Sequence, residues 1–173
     1  MAGGPECIET LSSYLRDERL CDPAARTLVT IGAPNAGEAL AKALNSAAGP
    51  SRVAIVEALG ELRWKPCVGT FEKDASSEDA NLRRTALFAL ANIGDLSSRS
   101  ILAKAAEAGA PHERAEATAL YLRYARCLAE TGKKKECESI CRDLMRSRTA
   151  PGDANVRCAA LSTLAEVEGK RAV

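Results

Sequence analysis

The sequence predicts an all-α fold, a right-handed α-α superhelix (solenoid) of about five helical pairs. Three observations lead to this prediction. Prolines and glycines recur at short intervals, the segments between them repeat apolar residues at helical spacing, and one helical pattern returns several times along the chain. No segment alternates apolar and polar residues between turn signals, the pattern that indicates a half-buried strand.

The composition is that of a soluble globular chain with one core. Of the 173 residues, 46% are hydrophobic and 27% charged, which argues against disorder. The 24 basic and 23 acidic residues nearly cancel, so the total charge indicates neither a nucleic-acid partner nor an acidic one. No apolar run reaches the roughly 20 residues that span a bilayer, and no secretory signal opens the sequence. We expect a cytoplasmic protein, or a segment cut from a longer chain.

Proline and glycine predict where each helix begins and ends. Proline is tolerated only in the first helical turn, and glycine commonly follows the last one. The prolines at helix starts are Pro23, Pro34, Pro50, Pro111 and Pro151, and the closing glycines are Gly32, Gly94, Gly132 and Gly169. Together with the apolar periodicity, they predict helices over residues 5–16, 22–32, 35–47, 50–62, 66–75, 79–93, 96–108, 112–131, 133–147 and 153–168.

One amphipathic helix occurs in four copies. Its last apolar positions are Ile31, Leu62, Ile93 and Val167, two intervals of 31 residues and one of 74. In this register one core column is Leu28, Leu59, Leu90 and Leu164, and another column is Cys21, Arg52, Arg83 and Arg157. A recurring helix, each copy paired with a second one, predicts a stack of helical pairs.

Two strings resemble a known repeat. LRRTALFALANIGD (82–95) and VRCAALSTLAEVEG (156–169) resemble the second helix of HEAT repeats, in the bacterial form related to phycobilisome-lyase HEAT-like repeats. The two longer helices that meet at Gly132 resemble a tetratricopeptide (TPR) hairpin. The resemblance implies one solenoid domain over 1–173, with HEAT-like pairs at 5–108, a TPR-like hairpin at 111–148 and a final HEAT-like helix at 151–169.

The pentapeptide DANLR (79–83) returns as DANVR (153–157). It could be a binding motif used twice, but the stronger interpretation is structural. We expect Asp79 and Asp153 to cap their helices by accepting first-turn N–H groups. We expect Arg83 and Arg157, one position outside the apolar stripe, to reach acidic side chains on an adjacent turn or a neighbouring repeat.

The seven cysteines are irregularly spaced and odd in number, which argues against a disulfide framework. Cys137 and Cys141 share one helix face, and Cys127 on the preceding helix could lie nearby. A structural zinc site needs four ligands, so packing is the favoured interpretation and zinc the alternative. His112-Glu113 resembles the paired ligands of the HEAT-like deoxyhypusine hydroxylase, but that enzyme needs several such pairs. We therefore predict no catalytic residue, no metal site and no cofactor.

A locally basic segment raises nucleic acid as a partner. Residues 111–150 hold nine basic and six acidic side chains, with a Lys133–Lys135 run. The excess is small, so a solvated turn between helices is the favoured interpretation. Binding of nucleic acid through 133–148 remains the alternative.

A partner-binding groove is predicted from the repeat register. In HEAT-like stacks the second helices line the concave side, so equivalent residues form rows along it. One predicted row is Arg26, Glu57, Phe88 and Ser162, and the other is Thr30, Glu61, Asn92 and Glu166. Phe88 is aromatic where its row is otherwise polar, so it could anchor a partner, or it could fill a gap in the packing. Trp64 is a weaker candidate anchor.

These expectations favour a non-catalytic scaffold that binds another protein of unknown identity. The alternatives are a HEAT-like lyase or small-ligand-binding protein, and the nucleic-acid binder already considered.

Overall fold

The structure is a computed structural model that describes residues 5–169. Within that range the chain forms ten α-helices and no strand, which confirms the predicted all-α class. The helices are α1 (Pro5–Tyr14), α2 (Cys21–Ile31), α3 (Pro34–Leu44), α4 (Gly49–Glu61), α5 (Val68–Asp74), α6 (Ala80–Ile93), α7 (Arg99–Ala105), α8 (Pro111–Glu130), α9 (Lys134–Ser147) and α10 (Ala154–Glu168). Within residues 5–93 and within residues 94–169, the helices pack on helices near them in sequence, as in an α-solenoid. The right-handed sense of the superhelix stays a prediction.

The predicted start and stop residues work as expected. Pro34, Pro50 and Pro111 lie in the first turns of α3, α4 and α8. Gly32 ends α2 in the left-handed region, with φ 64°, and its N–H donates to the carbonyl of Leu28. This is the backbone conformation for which glycine is the usual helix-ending residue.

The helices α5 and α7 are shorter than the sequence predicted. Each begins after a 3-10 turn, at Lys65–Cys67 and at Leu96–Ser98. Before α7, the side chain of Asp95 accepts a hydrogen bond from the N–H of Ser97 at 3.1 Å. This local bond closes the tighter turn and delays the α-helix by three residues.

Contacts divide the chain into two compact units, residues 1–93 and 94–173. In unit 1 the second helices of the pairs, α2, α4 and α6, stack in order, and α1, α3 and α5 pack beside them. The predicted leucine column lies in the core, because Leu28, Leu59 and Leu90 are each 0% exposed. A single domain over 1–173 stays a prediction.

A close helix crossing organises unit 1. A Cβ added at Gly60 of α4 would lie 2.7 Å from both Cα and Cβ of Ala89 on α6. The two backbones therefore approach more closely than larger side chains would permit. This explains why a glycine occupies a buried helical position, where it otherwise costs stability.

Unit 2 is built around the long antiparallel pair α8 and α9, with α7 packed on α8 and α10 packed mainly on α9. Tyr124 is fully buried, and its hydroxyl donates to the carbonyl of Asp95 at 2.9 Å. Gly94, with φ 66°, lies so close to Cys127 that a Cβ there would be 2.7 Å from the cysteine sulfur. The helices of the predicted hairpin at 111–148 are thus present, within one residue of their predicted bounds at each end.

The arginine of the repeat makes the same kind of hydrogen bond in three copies. In each, Nη1 donates to two carbonyls of the segment that leads into its own helix. Arg52 donates to Leu44 (3.1 Å) and Ala47 (3.4 Å), Arg83 to Ser77 (2.9 Å) and Glu78 (3.4 Å), and Arg157 to Arg148 (2.6 Å) and Ala150 (3.1 Å). The arginine therefore satisfies carbonyls that a turn leaves without helical partners.

An acidic partner was predicted for Arg83 and Arg157. The structure shows one for Arg52, which that prediction did not include. Its guanidinium also pairs with Asp74 of α5 at 2.9 Å, with side-chain exposures of 22% and 10%. For Arg157 the hydrogen bonds go to carbonyl groups, so the expectation of an acid was wrong there. Loop carbonyls compete well for a guanidinium because they are close in sequence and lack helical partners.

The two predicted aspartate caps differ. Asp79 caps α6 as expected, because its Oδ1 accepts from the N–H groups of Asn81 (2.8 Å) and Leu82 (3.3 Å). The prediction for Asp153 was wrong, since its side chain makes no capping bond. Asp153 lies in a 3-10 turn with φ −93° and ψ 8°, away from the extended conformation that a capping side chain requires.

The close crossing gives a first prediction. Gly60→Ala should lower the free energy of unfolding by about 1–3 kcal/mol, because its new methyl overlaps the backbone of α6. Gly69→Ala in α5 is the matched control, since a Cβ there meets nothing within 4 Å. The control should be neutral or slightly stabilising. Urea unfolding followed by circular dichroism measures both, and equal effects would contradict the close approach.

The arginine gives a second prediction. Arg52→Met should lower the free energy of unfolding by about 2–4 kcal/mol, because it leaves the buried Asp74 carboxylate and the Ala47 carbonyl without the donor they have in the native chain. Arg26→Met is the control, since the Arg26–Asp22 pair is exposed and should contribute nothing measurable. Thermal unfolding at neutral pH measures both variants. A loss no larger for Arg52 than for Arg26 would show that the Arg52 contacts are not structural.

Candidate partner-binding surface

The predicted groove residues divide between the two units. In unit 1, Arg26 and Thr30 lie on α2, Glu57 and Glu61 on α4, and Phe88 and Asn92 on α6. These helices are consecutive in the stack, so the predicted rows run across adjacent helices there. Ser162 and Glu166 lie on α10 in unit 2.

A charged cluster is the clearest feature of these rows. Arg26 pairs with Asp22 one turn earlier at 3.0 Å, and the two side chains are 72% and 54% exposed. The pKa of Arg26 is raised, first by the hydrogen bond to Asp22 and its charge, and further by the carboxylates of Glu57 and Glu61 on α4. The charges of Glu57 and Glu61, one from each predicted row, therefore act on the Arg26 guanidinium within unit 1. We call Asp22, Arg26, Glu57 and Glu61 the charged cluster.

The other members of the rows differ in exposure. Thr30 is exposed, and its hydroxyl donates to the carbonyl of Arg26 at 3.0 Å. Phe88 is half-buried, which leaves part of its ring accessible. Asn92 is only 3% exposed, so it is a buried polar side chain that offers little surface to a partner. On α10, Ser162 and Glu166 are both exposed, with Oγ and Oε1 3.5 Å apart.

Trp64 packs within unit 1. Its indole lies over Gly37 of α3, where an added Cβ would be 2.5 Å from the ring. Gly37 lies inside a helix, and an isolated glycine inside a helix is a signal for such a close approach. This contact makes Trp64 a structural residue of unit 1.

Cys137 and Cys141 form a buried dithiol on α9. Both are 0% exposed. A hydrogen bond between the thiols lowers the pKa of Cys137, and the same bond together with burial raises the pKa of Cys141. The sulfur of Cys127 lies against Gly94. Among residues 5–169 no group of three or more His, Cys, Asp or Glu side chains is arranged to hold a metal ion.

His112 is at the exposed start of α8. Its Nδ1 lies 4.0 Å from Oε2 of Glu116, one turn further on. The side chain of His112 is 83% exposed, so this is a surface contact.

Most basic side chains of the 133–148 segment have partners in the chain. Lys133 donates to the carbonyl of Gly94 at 3.0 Å. The three arginines pair with Glu168, with Asp143 and with the carbonyl of Ala106, in the order Arg142, Arg146, Arg148. Lys134 and Lys135 are exposed. The segment therefore presents less available positive charge than its composition indicated.

An open cavity of about 540 Å³ lies elsewhere in unit 1. It is bounded by the end of α1, by the end of α3 and by the start of α4, with Arg16 and Glu18 at its edge. None of the eight predicted groove residues lines it.

Comparison with known proteins identifies one repeat. Residues 82–108 match the family described as PBS lyase HEAT-like repeat, which confirms the resemblance inferred from 82–95. The match includes Phe88 and Asn92. No curated protein matches the chain. Of the helices between residues 5 and 169, none has the length and apolar character needed to cross a membrane.

The burial of the cysteines gives a third prediction. Five cysteines are buried, and only Cys7 and Cys158 are exposed. A chromogenic disulfide reagent should therefore react rapidly with two thiols per native chain and with the remaining five only on unfolding. Rapid reaction of more than two would contradict the burial of the other five. Zinc that copurifies at one ion per chain and is removed by a chelator would contradict the packing interpretation of Cys137 and Cys141.

Proposed function

We propose that the chain is a non-catalytic scaffold that binds a protein partner through the second helices of unit 1. The charged cluster carries this proposal. Arg26 comes from one repeat and Glu57 and Glu61 from the next, and the charges of the two carboxylates contribute to raising the pKa of Arg26. Neither Arg26 nor Glu61 is buried, so packing alone does not account for this grouping.

The cluster indicates the chemistry of the partner. The Arg26 guanidinium is already paired with Asp22, and the charges of Glu57 and Glu61 also act on it, so the cluster has an excess of negative charge and favours a cationic segment. Phe88 lies on the next helix of the stack, in the same repeat row as Arg26 and Glu57. We propose that an apolar side chain of the same segment contacts its accessible ring surface. A protein segment that combines lysine or arginine with an apolar residue fits this surface.

Two observations bear on the alternatives. The 540 Å³ cavity beside Arg16 is large enough for a small molecule and supports a ligand-binding function as the second candidate. The internal partners of Lys133, Arg142, Arg146 and Arg148 weigh against nucleic-acid binding, because a phosphate would have to displace them. The irregular cysteines suit a reducing compartment, and we propose the cytoplasm.

Charge reversal in the cluster gives a fourth prediction. Glu57→Lys/Glu61→Lys should weaken partner binding at least about tenfold, because it places like charges against a cationic segment. Binding of the wild type should also fall with rising salt. The measurement is capture of the partner on immobilised protein, followed by titration of that partner once mass spectrometry has identified it.

The matched control is Glu9→Lys/Glu107→Lys, two exposed carboxylates on α1 and beyond α7. It makes the same change in net charge and should bind like the wild type. Equal weakening in both variants would overturn the assignment of the surface. Phe88→Ala should reduce binding with the helical signal unchanged. If it mainly lowers the melting temperature, Phe88 is a packing residue.

A further inference from the structure

The first copy of the repeat has a cysteine where the other three have an arginine. Cys21 occupies the position of Arg52, Arg83 and Arg157. The Cys21 thiol donates to the carbonyl of Ser51 on α4 at 3.7 Å. The turn between α1 and α2 is therefore built without the guanidinium that binds turn carbonyls in the other copies.

The residues around this position also differ between the first and second copies. In the second copy, Arg52 binds the carbonyl of Ala47 and the carboxylate of Asp74. Ala43 precedes Asp74 by one repeat interval of 31 residues, so it is the equivalent of that aspartate. Arg16 is in the same way the equivalent of Ala47. The first copy thus has a methyl group where the second has a carboxylate.

The cavity of about 540 Å³ lies at this point of the first copy. Arg16 and Ala43 both line it, and so does Ser51. In the second copy the Arg52–Asp74 pair fills part of the corresponding space. The replacement of these two long side chains by smaller ones therefore accounts for the cavity. Its volume is in the range of small-molecule sites, and it lies between two successive repeats of unit 1.

Two opposite charges at the edge of the cavity indicate the chemistry of a ligand. Arg16 and Glu18 both line it, and both are exposed. Within residues 5–169 neither side chain forms an ion pair or a hydrogen bond. A ligand carboxylate can pair with Arg16, and a ligand cation with Glu18. Leu15 and Pro50, which also line the cavity, supply apolar surface for an aliphatic chain between the two charges.

The second copy indicates that the cation is a guanidinium. There the donors of Arg52 bind a carboxylate and turn carbonyls at the same time. In the first copy the carbonyl of Arg16, the equivalent of Ala47, accepts no backbone hydrogen bond within the described residues. A planar guanidinium can donate to this carbonyl and to the Glu18 carboxylate together, whereas an ammonium group acts as a point charge.

We propose that the cavity binds a small molecule that carries a guanidinium and a carboxylate, of the chemical type of arginine. The carboxylate pairs with Arg16, and the guanidinium binds Glu18 and the turn carbonyl. The ligand thereby supplies to the first copy the group that the chain itself supplies to the other three. The cavity shares no residue with the charged cluster, so the proposal does not rest on the scaffold function.

Isothermal titration calorimetry of the chain with L-arginine tests the proposal. We expect a Kd of about 10 μM to 1 mM, because the paired charges are exposed to water. Agmatine lacks the carboxylate and L-citrulline has a neutral urea group in place of the guanidinium, so each should bind at least about tenfold more weakly. Arginine that does not bind up to about 10 mM, or either analogue binding as tightly as arginine, overturns the proposal.

A peptide that ends in arginine carries the same two groups. Glycyl-glycyl-arginine therefore distinguishes the two sources of this chemistry. Tighter binding than that of arginine would identify the C-terminus of a peptide as the ligand, and equal or weaker binding the free amino acid.

Filling the cavity with the side chains of the second copy tests the location of the site. Cys21→Arg/Ala43→Asp introduces the pair that Arg52 and Asp74 form one repeat later. Arginine binding should be lost, because the guanidinium and carboxylate of the chain then occupy the site. Circular dichroism and melting curves establish that the variant is folded. A folded variant that binds arginine like the wild type overturns the assignment of the cavity.

Variants at the edge of the cavity test the site without filling it. Arg16→Gln/Glu18→Gln should weaken arginine binding at least about tenfold. The control is Glu9→Gln/Arg19→Gln, at two exposed positions outside the cavity lining, and it should bind like the wild type. Equal weakening in the two double variants overturns the proposal. Capture of a protein partner by the charged cluster should be the same in both, so failure of arginine binding leaves the proposed function unaffected.

Discussion

The hydrogen bonds of the repeat arginine are the constraint on which the helical stack depends. A helix leaves its last carbonyls without partners, and a short turn can satisfy only some of them. Arg52, Arg83 and Arg157 donate to carbonyls of the segment that leads into their own helices. Each thereby fixes the direction in which its helix leaves the turn. In Arg52 the rest of the guanidinium binds Asp74 of α5, so a single side chain links three consecutive helices.

Because the helix directions are fixed, helices can cross closely. Close crossings require small residues at the points of contact. Gly60 and Ala89 meet where α4 crosses α6, and Gly37 receives the ring of Trp64. Each glycine costs about 0.5–1 kcal/mol of helix stability relative to alanine, which the closer packing offsets. Only six residues of the chain are aromatic, so the core consists mostly of small and medium aliphatic side chains. The small residues at the crossing, Gly60 and Ala89, and the hydrogen bonds of the arginine therefore both permit the close packing of the helices.

The sequence was sufficient to predict where the helices lie, because the residues that begin, end and orient a helix act locally. Proline, glycine and the apolar stripes placed all ten, with errors only in the ends. The partners of side chains were less predictable. Asp79 and Asp153 are both followed by Ala-Asn, yet only the first caps its helix, because the second lies in a 3-10 turn. The burial of Asn92 was missed for a related reason, since the register gives the direction of a side chain on its helix but not what covers it.

A shift of one residue along a helix separates buried positions from more exposed ones in this repeat. Successive residues point about 100° apart, so Ala25, Val56 and Leu87 face neighbouring helices whereas Arg26, Glu57 and Phe88 follow them toward the surface. The residues of the first column are apolar and fill the space between helices. The second column varies among a cation, an anion and an aromatic ring without disturbing the stack. The proposed partner-binding column can therefore vary by substitution, while the adjacent column keeps the fold.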